Sequence, residues 1–232
     1  MNEHADIQQY GIIWDVDGTL VDTAELHFQA WVQLAEELGR PFTRSDFAAT
    51  FGRRNPEIIR YLFGEHMTDQ EGIELGERKE IYYRQAAQNG VELLPGVRNI
   101  LEGFRSLGVS QAIGSSAPRG NLELIITLTK TEAFFSSIVA MEDTQRGKPD
   151  PQVFQIAAQK MNKQATDCLV FEDAVAGVQA AKAAQMKCIA IGFVGHHPEE
   201  KLRQAGADRV VHTLEELTCQ KILQLIQNGV VI

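Results

Sequence analysis

The stretch GIIWDVDGTL, residues 11–20, decides the fold of this chain. Its first part is a short apolar run, Gly11 to Trp14, which is typical of a strand buried on both faces of a parallel sheet. Two aspartates follow at alternate positions, Asp15 and Asp17, so their side chains can face the same side of an extended backbone. Gly18 then allows a sharp turn. Taken alone, this pattern also suits a simple Asp-Gly turn after a strand, and both interpretations stay open.

Comparable apolar runs recur along the chain, each separated from the next by a helical pattern. Alternating strands and helices predict a doubly wound, mostly parallel α/β sheet, as in Rossmann-like folds. The runs are Val109–Gly114, Ile138–Met141, Cys168–Glu172, Lys187–Ile191 and, more weakly, Arg209–Val211.

The connection from residue 23 to residue 94 is too long for a single crossover helix. It contains an amphipathic pattern over Ala24–Leu38. Thr68 and Glu71 have the spacing of a capping box at the start of another helix. We therefore predict an α/β core made of residues 1–22 and 95–232, with a helical cap domain at 23–94 inserted after the first strand.

Polar residues follow three later elements of the predicted core. Ser115 and Ser116 follow the second run, where hydroxyls and free amides can bind an anion, although Ser115 could equally cap a helix. Lys148 lies beside stiffening prolines in GKPDP, residues 147–151, where it could reach a nucleophile or simply be solvated. Glu172 and Asp173 end the fourth run, and paired carboxylates there predict Mg²⁺. An acidic helix start would explain Asp173 alone.

Together these residues fit covalent phosphoryl transfer, in which one carboxylate attacks phosphorus and a neighbouring one handles the proton. With these residues in this order, the chain resembles the haloacid dehalogenase superfamily over essentially its whole length. The resemblance rests on four motifs: DVDGTL (15–20), GSS (114–116), GKPDP (147–151) and VFEDAVAGVQAA (170–181).

The resemblance implies a role for each motif residue. Asp15 is expected to be the nucleophile and Asp17 the general acid/base, with Ser115 and Lys148 as ligands of the phosphoryl oxygens. Mg²⁺ would be bound by Asp15, the backbone carbonyl of Asp17, Glu172 and Asp173. The cap would close over the site, exclude water and select the substrate. The dehalogenase branch lacks the second aspartate, so Asp17 excludes dehalogenation.

The start of the predicted cap, DTAELHFQAW at residues 22–31, resembles the corresponding segment of the β-phosphoglucomutases. By that resemblance Thr23 lies in the hinge, His27 lies beside the active carboxylates, and Lys79 falls near a cap lysine of the mutases. The three are therefore candidate substrate-binding residues, together with Ser116. A packed position on the cap helix is the alternative for His27.

The chain departs from the mutase pattern, which has an arginine three residues after a cap glycine. Here Gly52 is followed by Arg53, Arg54 and Asn55. Without an arginine at position 55 the bidentate grip on a second phosphate is lost. Arg54 instead resembles the Gly-x-Arg of sugar-phosphate phosphatases and could contact a sugar or a distal phosphate. An exposed basic pair at a helix start is the alternative.

These features predict a Mg²⁺-dependent phosphatase that acts on a small phosphorylated metabolite, such as a sugar phosphate, through an aspartyl-phosphate intermediate. β-Phosphoglucomutase is the alternative activity. A non-catalytic metabolite-binding protein is the alternative of a different class, which a competent residue at every catalytic position disfavours. The substrate itself is not determined by these motifs.

Composition limits the classes of partner and the cellular compartment that we expect for this chain. The net charge of −9 disfavours a nucleic-acid partner. The three cysteines have no CxxC spacing, which predicts buried thiols in a reducing compartment. The chain starts without a signal-peptide pattern, and no apolar run approaches the ~20 residues that a bilayer requires. We expect a cytoplasmic protein without a membrane partner, and a monomer because its own cap covers the site.

Overall fold

The computed structural model describes residues 7–50, 53–64 and 67–228. In this part of the chain a six-stranded sheet has the order β3-β2-β1-β4-β5-β6, with every neighbouring pair parallel. The order reverses between β1 and β4, the place where such sheets bind ligands at the carboxyl ends of their strands. The predicted doubly wound α/β fold is confirmed. The strands are β1 Gly11–Trp14, β2 Ser110–Gly114, β3 Ser137–Val139, β4 Cys168–Glu172, β5 Lys187–Ile191 and β6 Arg209–Val211.

Helices cover both faces of the sheet. Side chains alternate along β1, so Ile12 and Trp14 pack into one apolar cluster and Ile13 into the other. These helices are α5 Val97–Ser106, α6 Arg119–Leu128, α7 Gln152–Lys160, α8 Val175–Ala183, α9 Glu199–Gln204 and α10 Cys219–Asn228. The first cluster includes α5, α6 and α10, and the second includes α7, α8 and α9.

In the described part of the long connection after β1, residues 24–50, 53–64 and 67–94, four further helices share an apolar cluster of their own. The capping box predicted at Thr68 and Glu71 is present at the start of α4. The chain enters and leaves this region side by side, because Val21 pairs with Leu93 and the Leu94 N–H donates to the Leu20 carbonyl. The domain boundaries after residues 22 and 94 stay a prediction. The helices are α1 Ala24–Glu37, α2 Arg44–Thr50, α3 Asn55–Phe63 and α4 Asp69–Ala87.

Two local expectations change in the structure. The third strand ends at Val139, and Met141–Asp143 forms a 3₁₀ turn because the Asp143 carboxylate accepts a hydrogen bond from the Ala140 N–H. Ser115 does not cap α6, which begins only at Arg119. The three cysteines are free and buried, as predicted. None of the described helices is long and apolar enough to cross a bilayer.

A buried glutamine on β2 joins the sheet to α5. The Trp14 indole N–H donates to Gln111 Oε1 at 3.0 Å, and Gln111 Nε2 donates to the Leu101 carbonyl at 2.9 Å. Gln111 is buried, so these bonds are not replaced by water if the amide is removed. A buried polar group left without a partner carries the full cost of its desolvation.

Replacing Gln111 by leucine is expected to lower the free energy of unfolding by about 1–3 kcal/mol, because the Trp14 N–H and the Leu101 carbonyl lose their partner. Urea denaturation measures this difference. The matched control is Gln155→Leu, the same change at an exposed position of α7. Equal stability of the two variants would contradict the structural role of Gln111.

Candidate active site

The predicted nucleophile lies directly after β1 and is buried. The Asp15 N–H donates to the Phe171 carbonyl at 3.0 Å, which continues the pairing of β1 with β4. Lys148 Nζ lies between two carboxylates, 2.6 Å from Asp15 Oδ1 and 2.5 Å from Glu172 Oε1. Burial alone would lower the pKa of Lys148, but these two carboxylates raise it above its usual value, so the ammonium stays charged.

Three buried carboxylates converge at this point, Asp15, Glu172 and Asp173, with one oxygen of each within 4.8 Å of the others. Burial raises the pKa of Asp15 to about 7, and the negative charges of Glu172 and Asp17 act in the same direction. Burial and the charges of Glu172 and Asp15 also raise the pKa of Asp173 well above its usual range. One lysine does not balance three carboxylates that are buried together.

The donor set fits a divalent cation. Asp173 Oδ2 is buried and has no hydrogen-bond partner among the described residues. Carboxylate oxygens are the ligands that Mg²⁺ prefers. The residues predicted to bind the metal through their carboxylates therefore have the geometry and the chemistry for it.

Two glycines allow the carboxylates to approach so closely. A Cβ at Gly177, in the first turns of α8, would lie 1.7 Å from Glu172 Oε1, and a Cβ at Gly18 would lie 2.0 Å from Asp173 Oδ2. Gly18 also has φ +80, which a side chain disfavours. Glu172 Oε2 accepts hydrogen bonds from the N–H groups of Asp173 and Ala174 at 2.8 and 2.9 Å. The loop after β4 thus holds Glu172 against α8.

The second aspartate points away from the carboxylate cluster toward the cap. Asp17 Oδ1 accepts a hydrogen bond from Thr23 Oγ1 and lies 3.3 Å from His27 Nε2. Burial acts to raise the pKa of Asp17, but the hydrogen bonds from His27 and Thr23 and the positive charge of Lys79 act to lower it, so the pKa lies below its usual value. Asp17 is therefore a carboxylate in this state.

His27 connects Asp17 to a buried lysine of α4. Lys79 Nζ lies 2.6 Å from His27 Nδ1, and the Tyr83 ring stacks on the imidazole with centroids 4.1 Å apart. An ammonium can only donate, so we assign Nδ1 as the acceptor and Nε2 as the nitrogen that donates to Asp17. The structure thus brings together Thr23, His27 and Lys79 around Asp17.

The two serines lie at the carboxyl end of β2. The Ser115 N–H donates to the Val139 carbonyl, and its Oγ accepts a hydrogen bond from the Ala117 N–H at 3.1 Å. The hydroxyl proton of Ser115 is not used by this bond and can be donated. Ser115 and Ser116 both line the same cavity as Asp15.

The cap arginine contacts the core. Arg54 Nη2 donates to Thr144 Oγ1 at 2.7 Å, while its Nε is buried without a hydrogen-bond partner in the described part of the chain. Asn55, at the position of the mutase arginine, donates to Glu80 Oε1 at 2.7 Å. Gly52, the cap glycine from which the position of the mutase arginine is counted, lies outside the described residues.

These groups line one cavity of about 550 Å³ between the core and the α2–α3 part of the cap. Several residues that line this cavity were not predicted from the sequence. His197 follows β5, and Gln179 lies on α8. Their sequence signal is weak, because a histidine in a polar segment and a single glutamine on a helix are usually solvated. Glu80, the partner of Lys79, was also missed, since nothing in the sequence marks one acidic residue on a charged helix.

Comparison with known proteins agrees with this geometry. A family model described as haloacid dehalogenase-like hydrolase matches residues 12–191. The chain is 31% identical over 216 residues to a β-phosphoglucomutase of Bacillus subtilis (strain 168), covering 90% of this chain and 92% of that protein. It is 30% identical over 217 residues to a phosphorylated carbohydrates phosphatase of Thermotoga maritima, covering 90% and 97%.

A solved structure shares the fold over almost the whole chain. It is a family IA, variant 3 hydrolase of Entamoeba histolytica, with a TM-score of 0.87, 27% identity and coverage of 94% of this chain and 100% of that one. The predicted enzyme class, a phosphatase or a phosphomutase of this superfamily, is confirmed. The chain belongs to the haloacid dehalogenase-like hydrolases.

Proposed function

We propose that this chain is a Mg²⁺-dependent phosphatase that hydrolyses a small sugar phosphate through an aspartyl-phosphate on Asp15. The observation that carries the proposal is the buried Asp15 carboxylate, held 2.6 Å from Lys148 Nζ in a carboxylate cluster at the base of a cavity. A carboxylate so placed can attack a phosphoryl group. The proposed cap at 23–94 would keep bulk water away from it when closed.

In the first half-reaction Asp15 would form a bond to phosphorus while the bond from phosphorus to the sugar oxygen breaks. Lys148 and Ser115 would donate hydrogen bonds to the phosphoryl oxygens. Mg²⁺, held by Asp15, Glu172, Asp173 and the Asp17 carbonyl, would neutralise charge on the transferring group. The leaving oxygen takes a proton from Asp17, which must first become protonated because its pKa is low in this state.

In the second half-reaction a water molecule would attack the phosphorus of the aspartyl-phosphate and release inorganic phosphate and Asp15. Asp17 would take the proton of that water, and its carboxylate form suits this role. Thr23 and His27 hold the Asp17 side chain through hydrogen bonds to the same oxygen.

The substrate class follows from the cavity and the relatives. A volume of about 550 Å³ admits a molecule of the size of a sugar phosphate. Arg54 lines this cavity, so its guanidinium would donate to a sugar hydroxyl or a distal phosphate. The named activity of the Thermotoga relative, a phosphatase of phosphorylated carbohydrates, supports this class.

β-Phosphoglucomutase activity remains the second candidate, supported by the Bacillus relative and by the Thr23, His27 and Lys79 arrangement. Asn55 disfavours it. A mutase must hold both phosphates of a bisphosphate intermediate, and Asn55 is instead hydrogen-bonded to Glu80 within the cap. An asparagine also lacks the charge and the fork geometry of arginine.

Phosphate release from hexose phosphates, pentose phosphates and phosphoglycolate, with and without Mg²⁺, tests the proposal. We expect turnover that requires Mg²⁺, and a loss of roughly 10⁴-fold or more in Asp15→Asn, because the nucleophile is removed. Asp69→Asn, the same change at an exposed cap carboxylate, is expected to keep full activity. Turnover that survives in Asp15→Asn would contradict the proposed nucleophile.

The same assay separates the two activities. Adding β-glucose 1-phosphate with a glucose bisphosphate primer is expected to give inorganic phosphate and little glucose 6-phosphate. Formation of glucose 6-phosphate faster than phosphate release, and only with primer, would instead assign the mutase activity.

Gly177→Ala is expected to raise the Mg²⁺ concentration for half-maximal activity by about tenfold or more, because the new methyl group displaces the Glu172 carboxylate. A Mg²⁺ titration of phosphate release measures the change, and circular dichroism checks the fold. Gly72→Ala is the matched control, since a Cβ at this glycine of α4 meets no atom within 4 Å. An unchanged Mg²⁺ requirement in Gly177→Ala would count against Glu172 as a metal ligand.

A further inference from the structure

A continuous series of buried polar contacts leads from the active site into the cap. It begins at Asp17 Oδ1, which lies 3.3 Å from His27 Nε2, and continues through the 2.6 Å contact of His27 Nδ1 with Lys79 Nζ. Lys79 Nζ then donates to Glu80 Oε1 at 3.0 Å. Lys79 and Glu80 are only 2% and 4% exposed, so both are largely removed from water.

The series ends on a core residue. Glu80 Oε2 accepts a hydrogen bond from Asn121 Nδ2 at 2.6 Å, and Arg84 Nη1 donates to Asn121 Oδ1 at 3.0 Å. Glu80 and Arg84 lie one turn apart on α4, so they hold both ends of the same amide. Asn121, on α6, is 2% exposed. We call this contact of Glu80 and Arg84 with Asn121 the cap latch.

The latch can form only with the cap in this position over the core. Its partners belong to α4 of the inserted region and α6 of the sheet domain, and both hydrogen bonds depend on the orientation of one amide. If the cap moves away, Glu80 loses the Asn121 bond and gains water. Its attraction for Lys79 then weakens, because a higher dielectric screens an ion pair.

Glu80 is the charge partner of Lys79 in this position of the cap, with Oε1 3.0 Å from the ammonium nitrogen. Burial lowers the pKa of Lys79, and Glu80 is the largest influence in the opposite direction. The charged ammonium in turn requires His27 to accept at Nδ1, which leaves the Nε2 proton for Asp17. The arrangement at Asp17 therefore depends on Glu80, although the two carboxylates do not touch.

We infer that Glu80 is a positioning residue that couples closure of the cap onto Asn121 to the hydrogen bonding of Asp17, through Lys79 and His27. This inference rests on the proposed function and deepens it. Asp17 has the hydrogen bonds that prepare it for proton transfer only when the cap is closed. Opening of the cap admits substrate, and closing it sets the proton-transfer group. Glu80 acts on Asp17 through Lys79 and His27, although its side chain also lines the cavity.

Swapping the carboxylate at position 80 and the amide at position 121 tests the coupling. Asn121→Asp keeps an acceptor for Arg84 but sets a second carboxylate against Glu80 in place of the Nδ2 donor, so we expect the cap to open, with KM raised about tenfold and kcat lowered. The double variant Glu80→Gln with Asn121→Asp restores an amide facing a carboxylate, so KM is expected to recover. Its kcat should stay about tenfold or more below wild type, because Lys79 no longer has a charged partner at position 80.

Hydrogen–deuterium exchange of α4 and α6 measures closure without relying on catalysis. We expect faster exchange in Asn121→Asp and wild-type exchange in the double variant. The matched control is Glu77→Gln with Asn99→Asp, the same changes at exposed positions, which should alter neither exchange nor kinetics.

Wild-type KM and exchange in Asn121→Asp would overturn the latch, and full recovery of kcat in the double variant would overturn the link to Lys79. Absence of phosphate release from the wild type would refute the proposed function, and with it the catalytic part of the inference. Hydrogen–deuterium exchange would still show whether the latch holds the cap closed.

Discussion

The placement of one lysine between two carboxylates is the constraint on which the rest of the active site depends. Lys148 Nζ contacts Asp15 after β1 and Glu172 at the end of β4, the two strands between which the sheet reverses its order. Three buried carboxylates would otherwise repel each other strongly in a medium of low dielectric. The ammonium offsets part of that repulsion and leaves a residual negative charge that suits a divalent cation.

The sheet geometry makes this placement possible. Parallel strands bring their carboxyl ends to one edge, so residues far apart in the chain meet there. The approach is closer than ordinary side chains allow, because α8 passes Glu172 at Gly177 and the loop after β1 passes Asp173 at Gly18. The geometry of the carboxylate site therefore requires both glycines.

The two aspartates after β1 illustrate how environment separates the roles of identical side chains. Asp15 faces other carboxylates and its pKa is raised, whereas Asp17 faces His27 and Thr23 and its pKa is lowered. Alternation alone would place both side chains on the same face, but β1 ends at Trp14 and the chain turns over residues 16–21, so the two carboxylates meet different surroundings within three residues. Nucleophile and proton-transfer group can thus come from one short segment.

The sequence by itself determined the α/β class, the strands and the residues of the carboxylate site, because these depend on local periodicity and on motifs of fixed spacing. It did not determine the extent of β3, the position of Ser115 relative to α6, or the partners of Lys79. Glu80 and Asn121 are 41 residues apart along the chain, and no periodicity relates them. Only the packing of α4 on α6 brings them together, and tertiary structure alone decides such contacts.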